Sequence, residues 1–222
     1  MSELRGTEPV PLERLLELSR SGNSMSNLVA FDRKLRIVAK LPPPASIAVR
    51  PFLCDGSPFG CEVFLVGINP GTDIPLWPYW SHEGGCDKAA WLQAYLERHG
   101  RFRPTRARIE RICTAMGPVR ALETNVFHAR SRREAGLAKN ERTTEVFDFL
   151  LDELKPRVLF VHGRSGIEHL QRRTGALLAP GTSTRVRYQG IIFDVIARHH
   201  LSYQCSYAEA DQIGCALRDR LR

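Results

Sequence analysis

The stretch that decides the fold is Val63-Phe64-Leu65-Val66-Gly67-Ile68-Asn69-Pro70-Gly71. Its first four residues are apolar and half of them are β-branched. Such a run, apolar on both faces, predicts an inner strand of a parallel sheet. The strand stops at Gly67, and the loop that follows lies at its carboxyl end, where open α/β sheets bind ligands. Pro70 disfavours the helical region for Asn69 and holds it extended. Gly71 leaves no side chain in the path of an approaching group. The loop therefore sets one amide at the floor of an expected pocket; a strand-to-loop turn without chemistry is the plainer reading.

Working outward, the pattern alternates strands with helices. Ile47 to Phe52, interrupted by Pro51, predicts an edge or entry strand. Ala121 to Phe127 and Arg157 to Gly163 predict two further inner strands, and Arg185–Tyr188 with Ile191–Ala197 a hairpin or two successive strands. Asp87 caps a helix closed by Gly100, and Pro104 opens another whose Ile109, Ile112, Cys113 and Met116 share one buried face. Arg103, Arg106 and Arg108 of that helix are expected on or near the opposite, solvated face. Residues 141–154 read as a helix stopped before Pro156, a short helix carries Ile167 and Leu170, and Ser206 with Glu209 forms a capping box for the last helix. Helices over 10–20 and 24–40 precede the Pro42-Pro43-Pro44 stop. The whole predicts a three-layer α/β/α sandwich around a mostly parallel sheet. Residues 1–44 are expected to form a helical arm packed on a single domain spanning 45–222.

The 222 residues carry a formal charge of +8, which favours a polyanionic partner. The charge is concentrated: residues 101–142 hold 11 Lys or Arg against 4 Glu, a net +7. No apolar run reaches membrane-spanning length and the first residues lack a signal-peptide core, so a cytoplasmic or nucleoid-associated protein is expected. The six cysteines show no C-x-x-C spacing, which predicts a reduced chain; a four-cysteine iron–sulfur site built from distant positions is the other arrangement they allow. There is no Gly-x-Ser-x-Gly elbow and no phosphate-binding Gly-x-x-x-x-Gly-Lys loop, so the usual α/β hydrolase and nucleotide-binding signatures are lacking.

Three strand ends carry polar groups: Asn69, Asn125, and the loop with His199, His200 and Ser202. In a parallel sheet all three converge on one edge. An asparagine carbonyl orients a water, a second asparagine pairs donor and acceptor with a nucleobase edge, and a histidine donates to an oxygen that gains charge. The loop 72–86 adds Trp77, Tyr79, Trp80 and His82, rings that either fold onto the domain or wall a pocket.

At these residues the chain resembles the uracil-DNA glycosylase superfamily. Gly67-Ile68-Asn69-Pro70-Gly71 looks like the active-site motif of the mismatch-specific thymine/uracil branch, in which the asparagine positions the hydrolytic water. Thr124-Asn125-Val126 is similar to the segment of the thermostable branch whose asparagine contacts the flipped uracil, and Val158 to Gly163 resembles the central strand. His200-Leu201-Ser202 looks like the His-Pro-Ser motif, with leucine in place of proline and His199 competing for the imidazole role. The four-cysteine cluster of the thermostable branch is not recognisable.

The resemblance implies a monofunctional hydrolase of base excision repair that cleaves the glycosidic bond of uracil or a related base flipped out of DNA. Asn69 and His200 would be catalytic. Asn125, Ile68, Gly71 and the stacking ring of Trp80 would hold the base. Arg130, Arg132, Arg133 and Ser202 would bind phosphates, and Leu201 or Tyr203 would enter the gap in the duplex. No metal or cofactor is needed, and a monomer on single- or double-stranded DNA is expected. A nucleic-acid-binding protein of the same fold with weak or no catalysis is the alternative.

Overall fold

The structure, a computed structural model, describes residues 27–39, 50–131, 134–202 and 204–222. It is an α/β fold on a mixed six-stranded sheet. Strands β1 (Phe52–Leu53), β2 (Val63–Gly67), β5 (Ala121–Asn125), β6 (Val158–His162), β7 (Ser183–Tyr188) and β8 (Ile191–Arg198) lie in the order β1-β5-β2-β6-β8-β7. The four inner strands run parallel, and β1 and β7 are antiparallel edges. A two-stranded ribbon, β3 (Trp80–Ser81) and β4 (Gly85–Cys86), lies inside the aromatic loop.

Each inner strand follows from its composition. All five residues of β2 and all five of β6 are buried, as expected of strands covered on both faces. Among the described residues six α-helices accompany the sheet: α1 (described over 27–38), α2 (Lys88–His99), α3 (Pro104–Met116), α4 (Glu145–Leu154), α5 (Arg164–Thr174) and α6 (Tyr207–Asp219). On one face α3 and α6 pack Ile109, Ile112, Met116, Ala210 and Leu217 over Val63, Leu65, Val158 and Phe160. The other face buries Phe64, Val66, Leu159 and Val161 with residues of α1, α4 and α5, among them Phe31, Phe147, Leu150 and Leu170. Where Phe31 enters that core it meets the rings of Phe52, Phe59, Trp80 and Phe149.

The helix ends match their residues. The Asp87 carboxylate accepts from the Ala90 N–H at 2.9 Å, and Gly100 closes α2 in the left-handed region. At α6 the Ser206 hydroxyl accepts from the Glu209 N–H at 3.1 Å while the Glu209 carboxylate accepts from the Ser206 N–H at 2.6 Å. Gln189 and Gly190, both at positive φ, turn β7 into β8 as a true hairpin.

The expected edge strand at 47–52 survives only as Phe52–Leu53, with 47–49 outside the described residues, as is the helix at 10–20. The expected helix at 141–154 begins at Glu145, after a 3-10 turn at Lys139–Glu141. Arg106 departs most from expectation: it is buried rather than solvated, because a buried carboxylate faces it. Cys54, Cys61 and Cys86 are buried and their thiols interact, and no group of three or more potential ligands suited to a metal ion occurs among the described residues. Nor is any helix among them long and apolar enough to cross a membrane.

The α3–α6 contact is close enough to test. A Cβ on Gly214 would stand 2.5 Å from the Ile112 carbonyl oxygen and 2.7 Å from the Ala115 Cβ. Gly214→Ala should therefore destabilise the protein by about 1–3 kcal/mol, although alanine in a free helix gains about 1 kcal/mol over glycine. In urea unfolding the midpoint should fall at unchanged slope; a midpoint equal to or above wild type would mean that the helices are further apart.

Candidate active site

Side-chain alternation sets the site. On β5, Glu123 and Asn125 face the α3–α6 side; their register partners on β2 are Leu65 and Gly67. On β6 the same side carries Phe160 and His162, whose partners on β8 are Ile196 and Arg198. At the carboxyl edge the row therefore reads Asn125, Gly67, His162. The chain passes from β2 to β5 on one side, and from β6 through α5 to the β7–β8 hairpin on the other, so this edge is a topological switch point. A cleft of about 310 Å³ opens there, lined by Ile68, Asn69, Gly71, Asn125, His162 and His200 and, towards α2 and α3, by Arg50, Tyr95, Arg103, Arg106 and Glu123.

Gly67 is small for a reason. A Cβ there would lie 2.8 Å from the Asn125 Oδ1 and 3.5 Å from the His162 ring, so the missing side chain is the space into which both project. Beyond Gly67 the pairing with the β5 exit continues: the Val126 N–H donates to the Gly67 carbonyl at 3.0 Å, Phe127 to Ile68 at 2.9 Å and Ser131 to Pro70 at 3.2 Å. The Asn69 amide nitrogen donates to the Ser131 carbonyl at 2.6 Å. With that donor engaged, its carbonyl oxygen is the group left to accept from a water.

His200, not His199, lines the cleft; His199 is exposed. The Ser202 backbone N–H donates to the His200 Nδ1 at 3.2 Å, and the Ser202 hydroxyl lies 2.8 Å from the same nitrogen. Nδ1 must therefore present its lone pair, which places the proton of the neutral ring on Nε2. Burial lowers the His200 pKa and favours that neutral form. His162 packs edge-on against it with centroids 5.3 Å apart. Complete burial, reinforced by His200, pulls the His162 pKa down to about 3.

The other end of the cleft is charged. Glu123, 5% exposed, has Oε2 2.6 Å from Arg106 and Oε1 2.9 Å from Lys88. Burial by itself would raise its pKa, but Arg106, Lys88 and Arg50 outweigh that and hold it at about 2. Glu110 also pairs with Arg106 at 2.7 Å and Lys88 at 3.1 Å.

Of the residues expected in the site, Asn69, Asn125, His200, Ile68 and Gly71 line the one cleft. Trp80 does not. It is buried, donates its indole N–H to Asp32 at 2.8 Å and packs edge-on against Phe52, so it belongs to the core and is unavailable to stack on a base. Leu201 is likewise a correction: at 1% exposure it packs in the α3–α6 core and offers no wedge in this conformation. Arg130 is exposed, and Ser202 is committed to His200. Arg132, Arg133 and Tyr203 lie outside the described residues. The residues that sequence reading missed are His162, Arg50, Arg106, Glu123 and Tyr95; the alternation along 121–125 and 158–162, followed to the strand ends, would have placed Glu123 and His162.

His162 makes stability depend on pH. Above its unfolded pKa of 6.5 both states are neutral; below it the unfolded imidazole takes a proton that the folded one refuses down to about 3. Stability should thus fall as pH drops below 6.5, at about 1.4 kcal/mol per pH unit from this group. His162→Gln should flatten the slope between pH 6 and 4.5, measured by urea unfolding at each pH; an unchanged slope would show that His162 is solvated.

No protein-family model matches the chain, and no curated protein sequence matches it significantly.

Proposed function

We propose that the protein is a DNA glycosylase that hydrolyses the N-glycosidic bond of uracil or a related deaminated or mismatched base. The observation that carries this reading is the convergence of Asn69, Asn125 and His200 on one cleft, with Asn69 and His200 each already oriented by a neighbour. The fold family implied is that of the uracil-DNA glycosylases.

In this reading a base turned out of the duplex enters the cleft. Asn125 pairs with its edge, and a water on the Asn69 carbonyl faces the sugar carbon. As the bond from that carbon to the base breaks, its electron pair moves into the ring and onto an exocyclic oxygen. The neutral His200 Nε2–H donates to that oxygen and stabilises its charge. The water oxygen bonds to the sugar carbon and its proton passes to solvent, because an amide takes up no proton. Free base and an abasic sugar result. A neutral histidine suits this step, since its proton sits on the nitrogen opposite the Ser202 contacts.

Asn69→Ala should leave binding of uracil-containing DNA nearly intact while single-turnover base release falls at least roughly tenfold, about 1.4 kcal/mol of transition-state stabilisation. Asn125→Ala should in addition reduce discrimination against normal pyrimidines. Wild-type rates in Asn69→Ala would make Asn69 a turn residue and leave a nucleic-acid-binding protein without this chemistry.

The cations free to meet phosphate are fewer than the sequence suggests. Arg106 is buried in ion pairs, Arg108 bonds to Cys205 and Pro104 carbonyls, Arg111 pairs with Asp211, and Arg120 bonds to the Asp55 and Ser57 carbonyls. Arg103, on the cleft, and Arg130 are exposed and make no ion pair among the described residues. Replacing both with alanine should weaken lesion-bearing and ordinary DNA by similar factors and reduce the salt slope of binding by about 2. Filter binding across salt concentrations measures it, and an unchanged slope would move the DNA face elsewhere.

A further inference from the structure

His162 takes no part in the hydrolysis as proposed, yet it stands at the end of the inner strand β6, 4% exposed and on the wall of the cleft. Its Nδ1 is sealed from solvent and has no hydrogen-bond partner among the described residues. As a mere core residue the imidazole is a poor choice, because a buried polar atom without a partner costs free energy that an apolar side chain of similar size does not.

The orphaned nitrogen fixes the tautomer. A buried N–H without an acceptor is costlier than a bare lone pair, so Nδ1 carries the lone pair and the proton of the ring sits on Nε2. Complete burial keeps the ring neutral. Nε2 lies on the ring edge that faces the space left at Gly67: a Cβ there would stand 3.5 Å from Nε2 and from Cε1, and 2.8 Å from the Asn125 Oδ1. The donor therefore points into the same space as the amide that meets the base.

His200 offers a matching donor, since its Nδ1 accepts the Ser202 N–H and leaves the proton on Nε2. The two ring centres are 5.3 Å apart. An oxygen that accepts from an imidazole N–H at about 2.9 Å lies roughly 4 Å from the ring centre. Rings at this separation leave room for one oxygen to meet both.

We infer that His162 is a second catalytic donor, and that its Nε2–H and that of His200 converge on one carbonyl oxygen of the bound base, the one beside the glycosidic nitrogen. The inference rests on the glycosylase reading and narrows its substrate class to 2-oxopyrimidines. When the bond from the sugar to such a base breaks, the electron pair passes through the ring to that oxygen, and two fixed N–H donors stabilise the charge. Neither histidine gives up its proton; the departed base takes one from solvent. A purine leaves through a nitrogen with no carbonyl beside it, so its electron pair stays in the ring and the two donors gain nothing.

Two variants of the full chain separate donor from packing. His162→Phe keeps a ring against His200 and loses the N–H, whereas His162→Gln loses the ring and keeps an N–H; His162→Leu is a donor-free variant of smaller volume. Single-turnover release of uracil from DNA should fall at least about tenfold in His162→Phe and in His162→Leu, as expected for one oxyanion donor, and recover in part in His162→Gln. The loss should be smaller for 5-fluorouracil, a more acidic leaving group that needs less stabilisation. Hypoxanthine should leave more slowly than uracil from wild type, and the ratio should shrink in His162→Phe. Calorimetry with free bases reads the donors without catalysis: 5-nitrouracil, which loses a ring proton at neutral pH and spreads the charge onto its carbonyl oxygens, should bind at least about tenfold more tightly than uracil, and His162→Phe should lose most of that difference.

Equal losses for uracil and 5-fluorouracil, or activity and anion preference kept in His162→Phe and lost in His162→Gln, would make His162 a packing residue and overturn the inference. Hypoxanthine released as fast as uracil would overturn the substrate class. An anion preference that depends on the His162 donor, with no base released from any duplex, would sustain the donor pair and remove the enzyme. Uracil release at the wild-type rate in both donor-free variants would do the reverse.

Discussion

A carboxylate buried in the middle of the sheet organises one wall of this molecule. Glu123 stands on β5 where the strand pattern would place an apolar side chain, and it is tolerated because Lys88 of α2 and Arg106 of α3 reach its two oxygens. The cost of desolvating three charges is offset only while all three stay in place. Helices α2 and α3 are thereby pinned to the strand that carries Asn125 two residues later. The N-terminus of α3, with Arg103, Thr105 and Arg106, comes to rest over the carboxyl edge of the sheet as one side of the cleft.

The opposite wall is built without charge. His162 and His200 are both held neutral by burial, and their rings pack edge to face. Gly67 makes room between the two walls, and Asn125 and His162 project into that room from the neighbouring strands. The cleft is thus polarised along the sheet: cations at the β1–β5 end, neutral imidazoles at the β6–β8 end, amides between. Such a gradient favours ligands that gain or hold negative charge, because among the described residues no carboxylate free of a cation faces them and a neutral N–H donor costs little to bury.

How much of this was legible in the sequence depended on the range of the determining interaction. The inner strands at 63–67, 121–125 and 158–162, the caps at Asp87 and Ser206, and the glycine stop at 100 were legible because local periodicity and turn chemistry fix them. The gathering of Asn69, Asn125 and His200 followed from parallel strands ending on one edge. Trp80 and Leu201 were misplaced because a large side chain in an irregular loop reads the same whether it walls a pocket or fills a core. Asp32, 48 residues earlier in the chain, decided the first by accepting the indole N–H. Arg106 was misread for a related reason. Helical periodicity reports which face a residue occupies, and α3 turned out to have two covered faces, one against the sheet and one against α2 and Glu123.

The same point bears on the basic segment. A net +7 over 42 residues suggests a polyanion-binding surface, yet several of its arginines serve as internal hydrogen-bond donors. Arg120 closes the turn at Asp55–Ser57, Arg108 holds the carbonyl of Cys205 ahead of α6, and Arg111 reaches Asp211 on α6. Guanidinium suits this role, since its five donors satisfy carbonyls that a loop leaves unpaired and its charge is never lost at neutral pH. Long-range attraction is insensitive to the distinction, because a cation bonded to neutral carbonyls keeps its full charge. Short-range phosphate contact is sensitive to it, because a donor already committed has to be released first. For a polyanionic ligand of the proposed kind, sequence charge would therefore set how fast it is drawn to this face, while the few uncommitted arginines around the cleft, Arg103 above all, would set where on the face it is held.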